Sequence, residues 1–293
     1  MKVLITGAAG LVGRALTAHC VASQDEVFSY DRASLDIADP DRVRSVITKD
    51  GPDVVINCAA WTDVDGCERD PTRSDAVNAQ GPQNLARAAR SVGASLITIS
   101  TDYVFDGLKE GFFTQRDDPN PLSVYGRSKL QGERRAQSEC ARTVVVRSGF
   151  IFGSGGKNFL STLIGRVRQG EQPKAIDDAW GTPTYASDLA VRLRELALLD
   201  MPGIFHVVST GEGASYATFA REALTRAGLD TNKLEVISSK SLTRPAPRPT
   251  NSRLKCLLSG ALGLQPLPTW QDGLARYIND INQKHTQTSQ IAG

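Results

Sequence analysis

The chain has 293 residues, 40% of them apolar, which suits one large or two modest domains with a substantial core. Thirty-four basic against thirty-two acidic residues leave a net charge of +2, too near balance for a nucleic-acid-binding or membrane-surface protein, so Arg87-Ala88-Ala89-Arg90 and Arg134-Arg135 read as exposed helix faces. Five cysteines without C-x-x-C spacing suit reduced thiols and three scattered histidines suit no metal cluster; with no signal peptide and no apolar run of transmembrane length, the expected compartment is the cytoplasm.

Lys2-Val3-Leu4-Ile5-Thr6 reads as a buried strand running directly into Gly7-Ala8-Ala9-Gly10-Leu11-Val12-Gly13 and then a helix to residue 22. Strand, glycine turn and helix form a dinucleotide fingerprint of the G-x-x-G-x-x-G type. Gly7 permits the tight turn, Gly10 lets backbone approach a pyrophosphate, and Gly13 allows close helix packing. Phosphate charge would sit at the helix N-terminus. The second strand, 26–30, leads into Asp31-Arg32, about eighteen residues beyond Gly13. Asp31 is placed to accept hydrogen bonds from the adenosine ribose, whereas Arg32 could neutralise a 2′-phosphate, so NADH and NADPH both stay open.

Further along, a helix is expected at 40–49, a strand at 53–57, a helix at 74–92 stopped by Gly93, a strand at 95–100, a helix at 123–141 and a strand at 143–147. Cys58, at a strand end, reads as packing. This β-α repetition predicts an α/β fold, a Rossmann-like doubly wound parallel sheet with helices on both faces. Ligands in such sheets gather beyond the carboxyl ends of the strands, where the glycine turn, Asp31, Asn57-Cys58-Ala59-Ala60 and Thr101 all fall.

After residue 148 the pattern is less regular. Helices are expected near 158–169, 187–198, 216–227 and 270–282, with a strand at 204–208 returning to the main sheet. Pro245-Ala246-Pro247-Arg248-Pro249 reads as a stiff connection and 283–293 as a frayed polar tail. The domain reading is an NAD(P)-binding unit over 1–148, with return segments around 185–210, and a smaller, discontinuous substrate-binding lobe over 149–293.

The chemistry lies in Ser100-Thr101-Asp102-Tyr103-Val104-Phe105 and Tyr125-Gly126-Arg127-Ser128-Lys129. Positions i and i+4 of a helix share a face, so Tyr125 and Lys129 can present a phenol and an ammonium to one substrate. A neighbouring cation favours phenolate and is expected to bring the Tyr125 pKa toward the working range. Thr101, at the end of an apolar run, can hydrogen-bond a carbonyl oxygen that Tyr125 protonates as a hydride arrives at carbon.

Together with Ile5 to Gly13, Asn57 to Asp65, Pro121-Leu122-Ser123-Val124, Gly181-Thr182-Pro183-Thr184 and Arg248-Pro249-Thr250-Asn251-Ser252-Arg253-Leu254, these residues resemble the extended short-chain dehydrogenase/reductases. In detail they resemble the dTDP-4-dehydrorhamnose reductase family, over nearly the whole chain. The resemblance implies that Gly10, Leu11 and Val12 touch cofactor phosphates, Asp31 takes the ribose, Asp36 and Ile37 flank adenine, Ala60, Trp61 and Thr62 line the nicotinamide side, and Ala59 also belongs to the cofactor site. It implies Thr101, Tyr125 and Lys129 as catalytic residues, with Lys129 also on the nicotinamide ribose. Thr101, Asp102 and Phe150 would face the sugar, Asp102 reading equally as a turn-capping carboxylate. Arg248 and Asn251 would anchor the nucleotide diphosphate or brace the loop that does. The chain departs from the family in carrying Phe150 where a tryptophan is common and Trp61 where a histidine is common; a phenyl ring can pack on a sugar but lacks the indole N–H donor.

The implied activity is reduction by NADPH or NADH of the 4-keto group of a nucleoside-diphosphate 6-deoxysugar, dTDP-4-dehydro-L-rhamnose to dTDP-L-rhamnose. The partner is then a nucleotide sugar, with no nucleic acid, membrane or metal, and a homodimer is one expectation for the assembly. Two alternatives stand beside it: a non-catalytic NADP-binding subunit similar to the β subunit of methionine adenosyltransferase, and an epimerase or dehydratase of the same superfamily.

Overall fold

Both faces of the central sheet are buried, which is why its strands read as unbroken apolar runs rather than alternating ones. The computed structural model describes residues 1–156 and 158–291, with 284–291 described by backbone alone. In chain order come β1 (Lys2–Thr6), α1 (Leu11–Ala22), β2 (Glu26–Tyr30), α2 (Pro40–Asp50), β3 (Val54–Asn57), α3 (Val64–Arg69), α4 (Pro71–Asp75), α5 (Gly81–Ser91), β4 (Ser95–Thr101), α6 (Val124–Glu139) and β5 (Thr143–Ser148). There follow β6 (Ile151–Phe152), α7 (Phe159–Arg168), β7 (Lys174–Ile176), β8 (Trp180–Gly181), β9 (Thr184–Tyr185), α8 (Ala186–Leu199), β10 (Gly203–His206), β11 (Ala214–Ser215), α9 (Tyr216–Arg226), β12 (Glu235–Ile237), α10 (Leu258–Ala261) and α11 (Trp270–Ile291).

Six strands form one parallel sheet in the order β10-β5-β4-β3-β1-β2, and β10 is the expected return to it, pairing Phe205 with Val146. Successive strand residues point to opposite faces. Val3, Ile5, Val54, Ile56 and Ile97 pack with Leu16 of α1 and Leu189 and Leu193 of α8, while Leu4, Val55 and Leu96 pack with Val43 of α2 and Leu85 of α5. A separate core, built on Phe152, Leu163, Phe219, Trp270 and Leu274, fills the smaller C-terminal lobe. No helix among the described residues is long and apolar enough to cross a membrane.

Two expectations need correction. The helix expected over 74–92 is interrupted by a π-helical turn, Ala76–Gln80, because Pro82 has no N–H to donate to the carbonyl of Asn78 four residues before it. The last helix continues to Ile291 instead of giving way to a frayed tail at 283, and residues 292–293 of that tail lie outside the described residues. The short α3, on Val64-Asp65-Gly66-Cys67-Glu68-Arg69, was not foreseen: Asp63 caps it by accepting from Gly66 N–H at 2.9 Å.

The π turn sets where α6 sits. A Cβ on Gly132 of α6 would lie 2.2 Å from the Asn78 carbonyl oxygen, so only glycine allows this approach. Gly132→Ala is expected to destabilise the fold by about 1–3 kcal/mol through overpacking, measured by urea denaturation.

Candidate active site

The glycine turn has the shape its sequence promised. Gly7 adopts φ +65°, and a Cβ there would come within 2.7 Å of the Ala59 nitrogen, while a Cβ on Gly13 would lie 2.2 Å from the Gly7 carbonyl oxygen. Gly10 is the N-cap residue of α1 and supplies no side-chain cap, which leaves first-turn N–H groups open beside the cleft. Such an N-terminus suits a pyrophosphate.

Three cavities lie side by side at the carboxyl ends of the strands. The first, about 220 Å³, is bounded by Gly7, Gly10, Asp31, Arg32, Asp36 and Ile37, together with Ala59, Ala60, Trp61 and Arg73. It shares Gly10, Ala59 and Ala60 with a second of about 610 Å³, where Leu11, Val12 and Thr62 face Thr101, Asp102, Tyr125, Lys129 and Phe150. This in turn shares Tyr103, Phe159 and Tyr216 with a third of about 420 Å³, reached by Arg244 and Arg248. One groove therefore joins residues from the glycine turn, the segments after β2 and β3, the end of β4, α6 and the smaller lobe.

The N-cap of α6 is Ser123, which accepts from Gly126 N–H at 3.1 Å, and Glu68 accepts from Val124 N–H at 2.9 Å. Tyr125 and Lys129 then fall one turn apart, both buried. A Cβ on Gly126 would lie 2.3 Å from the Tyr103 carbonyl oxygen, so α6 rests directly on the turn that follows β4. Lys129 Nζ donates to the Ile99 carbonyl at 2.6 Å. Thr101, the last residue of β4, donates to Asp102 Oδ1 at 3.0 Å and accepts from Tyr103 N–H at 3.1 Å.

The expected electrostatics need revising. Burial raises the Tyr125 phenol above its ordinary range, opposed by the Thr101 hydroxyl; Lys129 does not pull it down in the protein by itself. Burial also pushes Lys129 down to about 8, opposed chiefly by the carboxylate of Glu133. Both shifts disfavour charge, so near neutral pH Tyr125 keeps its proton and Lys129 is predominantly an ammonium. Asp102 is raised to about 6 by burial, against the pull of hydroxyls on Ser252 and Thr101. It is packed against Gly149, where a Cβ would lie 2.2 Å from the carboxyl carbon.

Other foreseen residues fall in different places. Asp31 reaches the first cavity, but its Oδ1 already accepts from the Ser34 N–H at 2.9 Å and from the Ser34 hydroxyl at 2.7 Å. Trp61 lies in that cavity with Asp31, not beside Tyr125, and the Arg73 guanidinium sits 4.3 Å over its ring. Phe150 holds φ +50°, with its ring 4.2 Å from that of Tyr216. Arg248 grips Asp65 through two bonds of 3.0 and 2.9 Å. Asn251 lines none of the three cavities; its amide donates to the carbonyls of Lys109 and Gly111 at 2.7 and 2.8 Å, so it braces a loop. Cys58 packs against the sheet core as expected and also lines the first two cavities, its thiol pushed up to about 12 by burial.

Sequence reasoning missed three contributors. Arg73 carries no motif, and Asn78, on the π turn, holds Trp61 through its backbone N–H at 2.9 Å and carbonyl at 3.0 Å. Ser148 Oγ is buried on the wall of the second cavity without a hydrogen-bond partner. With the uncapped α1 N-terminus and the glycine cradle, this orphan hydroxyl fits the groove to a polar, anionic dinucleotide. Among the described residues no group of three or more His, Cys, Asp or Glu side chains could hold a metal ion.

The chain matches the family described as RmlD substrate binding domain over residues 1–283. It is 38% identical over 277 residues to the dTDP-4-dehydrorhamnose reductase of Streptomyces griseus, covering 92% of this chain and 91% of that one. Among solved structures, the dTDP-4-dehydrorhamnose reductase of Bacillus anthracis in complex with NADP superposes with a TM-score of 0.92 at 32% identity, covering 95% of this chain and 99% of that one. The Clostridium acetobutylicum dTDP-4-dehydrorhamnose reductase gives 0.92 at 36% identity, covering 96% and 100%.

The buried Asp102 carboxylate generates a stability test. Its raised pKa opposes folding above pH 6, and the opposition fades as pH falls through 6 toward the ordinary carboxylate range. Asp102→Asn is expected to stabilise the protein at pH 8 by up to about 3 kcal/mol, a gain that shrinks as urea denaturation is repeated at progressively lower pH.

Proposed function

The chain belongs to the dTDP-4-dehydrorhamnose reductase family, and we propose that it reduces the 4-keto group of dTDP-4-dehydro-L-rhamnose to give dTDP-L-rhamnose, at the expense of NADPH or NADH. The observation that carries this reading is the convergence of Thr101, Tyr125 and Lys129 on one cavity whose far wall is the glycine turn and the α1 N-terminus. The bound reduced nicotinamide supplies a hydride. Leu11 and Val12 at the α1 N-terminus would hold its pyrophosphate, and Asp31, Asp36 and Ile37 its adenosine end.

Tyr125 is the proton donor to the ketone oxygen. Burial keeps the phenol protonated until it is needed, and Lys129 stands one turn along the same helix face. Thr101 hydrogen-bonds the same oxygen by turning its hydroxyl proton away from Asp102. The Phe150 ring offers a face to the sugar, and the third cavity, beyond Tyr103 and Tyr216, offers room for the nucleotide. Arg248 supports this end by bracing Asp65. The same reading divides labour between 1–148, with returns around 185–210, and a substrate lobe over 149–293, and it takes the protein to be a cytoplasmic homodimer.

NADPH is the favoured cofactor in this proposal. Arg32 and Arg73 border the first cavity and make no ion pair among the described residues, whereas Asp31 is engaged by Ser34. A 2′-phosphate would meet a guanidinium there.

Oxidation of reduced nicotinamide by the purified chain, with dTDP-4-dehydro-L-rhamnose as acceptor, tests the activity; no turnover would reject it. Tyr125→Phe is expected to lower kcat by about a hundredfold or more. Arg32→Ala is expected to lower kcat/KM for NADPH about tenfold or more while leaving that for NADH nearly unchanged.

A further inference from the structure

Helix α6 carries a third functional-looking side chain in register with the first two. Tyr125, Lys129 and Glu133 follow at i, i+4 and i+8, so phenol, ammonium and carboxylate form one row. Glu133 is 2% exposed and does not line the cavity. Its carboxylate accepts from Arg147 Nε at 3.0 and 3.2 Å and from Arg147 Nη2 at 2.7 Å, and also from the Ser100 hydroxyl. Ser100 lies between Ile99, whose carbonyl receives Lys129 Nζ, and Thr101. Arg147 is its register partner on β5.

One buried carboxylate thus fastens α6 to the ends of β4 and β5 at the point from which the reacting side chains emerge. As a stability device this is weak, because a buried ion pair does no better than well-packed apolar residues of the same volume. Its placement makes sense for chemistry. We propose that Glu133 is a positioning residue for the reduction: held by Arg147 and Ser100, it fixes the Ile99–Lys129 contact and provides the negative charge that the Lys129 ammonium needs.

The titratable groups around Lys129 agree with this assignment. Cys58 after β3 and Cys67 of α3 face it as neutral thiols raised by burial, and Tyr125 precedes it by one turn as a neutral phenol. Asp102, after β4, lies nearer Tyr125, and Arg147 of β5 is taken up by Glu133. Glu133 remains as the main group favouring the ammonium.

The inference rests on the reductase reading, and its test separates the two. Wild type, Glu133→Gln, Ser100→Ala and a double variant with Glu133→Gln and Arg147→Gln, in which Arg147 is not left as a buried unpaired cation, would be compared for fold by circular dichroism. Each would then be measured for kcat and KM across neutral and alkaline pH. The titration of Lys129 would be followed without cofactor by the ¹³C signal of its Cε, assigned with Lys129→Met. In Glu133→Gln, or in the double variant should the single one not fold, kcat is expected to fall roughly tenfold to a hundredfold at unchanged KM. The alkaline limb and the Lys129 midpoint should both move down by about one pH unit. Ser100→Ala, which keeps the carboxylate, should lose kcat without moving the midpoint. A folded Glu133 variant with limb and midpoint at their wild-type positions would overturn the inference, as would a loss confined to KM. An inactive wild type would instead count against the reductase reading, while the midpoint still decides the role of Glu133.

Discussion

The seating of α6 on the carboxyl end of β4 is the constraint on which the site depends. Backbone-to-backbone approach makes it possible: Gly126 rests against the Tyr103 carbonyl and Gly132 against the Asn78 carbonyl, at distances that any Cβ would violate. Once the helix lies there, its periodicity alone aims Tyr125 and Lys129 into the groove. The strand end needs no separate adjustment, since Thr101 is simply the last residue of β4 and its neighbour Asp102 opens the next turn.

That seating also decides the electrostatics. Burying a phenol and an ammonium together disfavours tyrosinate and lysine cation alike, which moves the two groups in opposite senses on the pH scale. The proposed role of Tyr125 as proton donor needs a phenol that begins protonated, and the first shift serves it. The second is tolerable because the ammonium keeps a carbonyl partner in Ile99 and a carboxylate one turn along the helix. Simple proximity of cation and phenol, the idea suggested by their spacing, leaves out the desolvation that both undergo.

Much of the architecture was legible because it is local. Strand 2–6 followed by glycines and a helix, or Tyr125 four residues before Lys129, depends only on the nearest turn of chain, and each strand of the six-stranded sheet appeared within a residue or two of its expected position, whereas the short strands of the two-stranded sheets were not foreseen. What escaped depends on contacts remote in sequence. The π turn follows from a carbonyl that Pro82 cannot satisfy and α6 can approach. Trp61 went to the first cavity, with Asp31, because Asn78 holds its backbone there. Asn251 could have been a ligand residue or a loop brace, and only its bonds to carbonyls some 140 positions earlier show it bracing. Ser148, an ordinary serine in the sequence, stands out only when its surroundings offer its hydroxyl no partner.

Phe150 extends the influence of the lobe into the groove. A phenylalanine does not favour φ +50°, so the packing around its ring must hold it there. That packing consists of Tyr216, Phe219 and Phe159, and Phe219 is fully buried in the lobe core. The aromatic cluster therefore works as an anvil: whatever loosens it lets the backbone at 149–150 relax, and with it the wedge that Gly149 makes against Asp102. A deep mutational scan scored for turnover would thus mark lobe positions that never meet a ligand, and a designer recutting the sugar pocket would have to repack the lobe and the groove as one object.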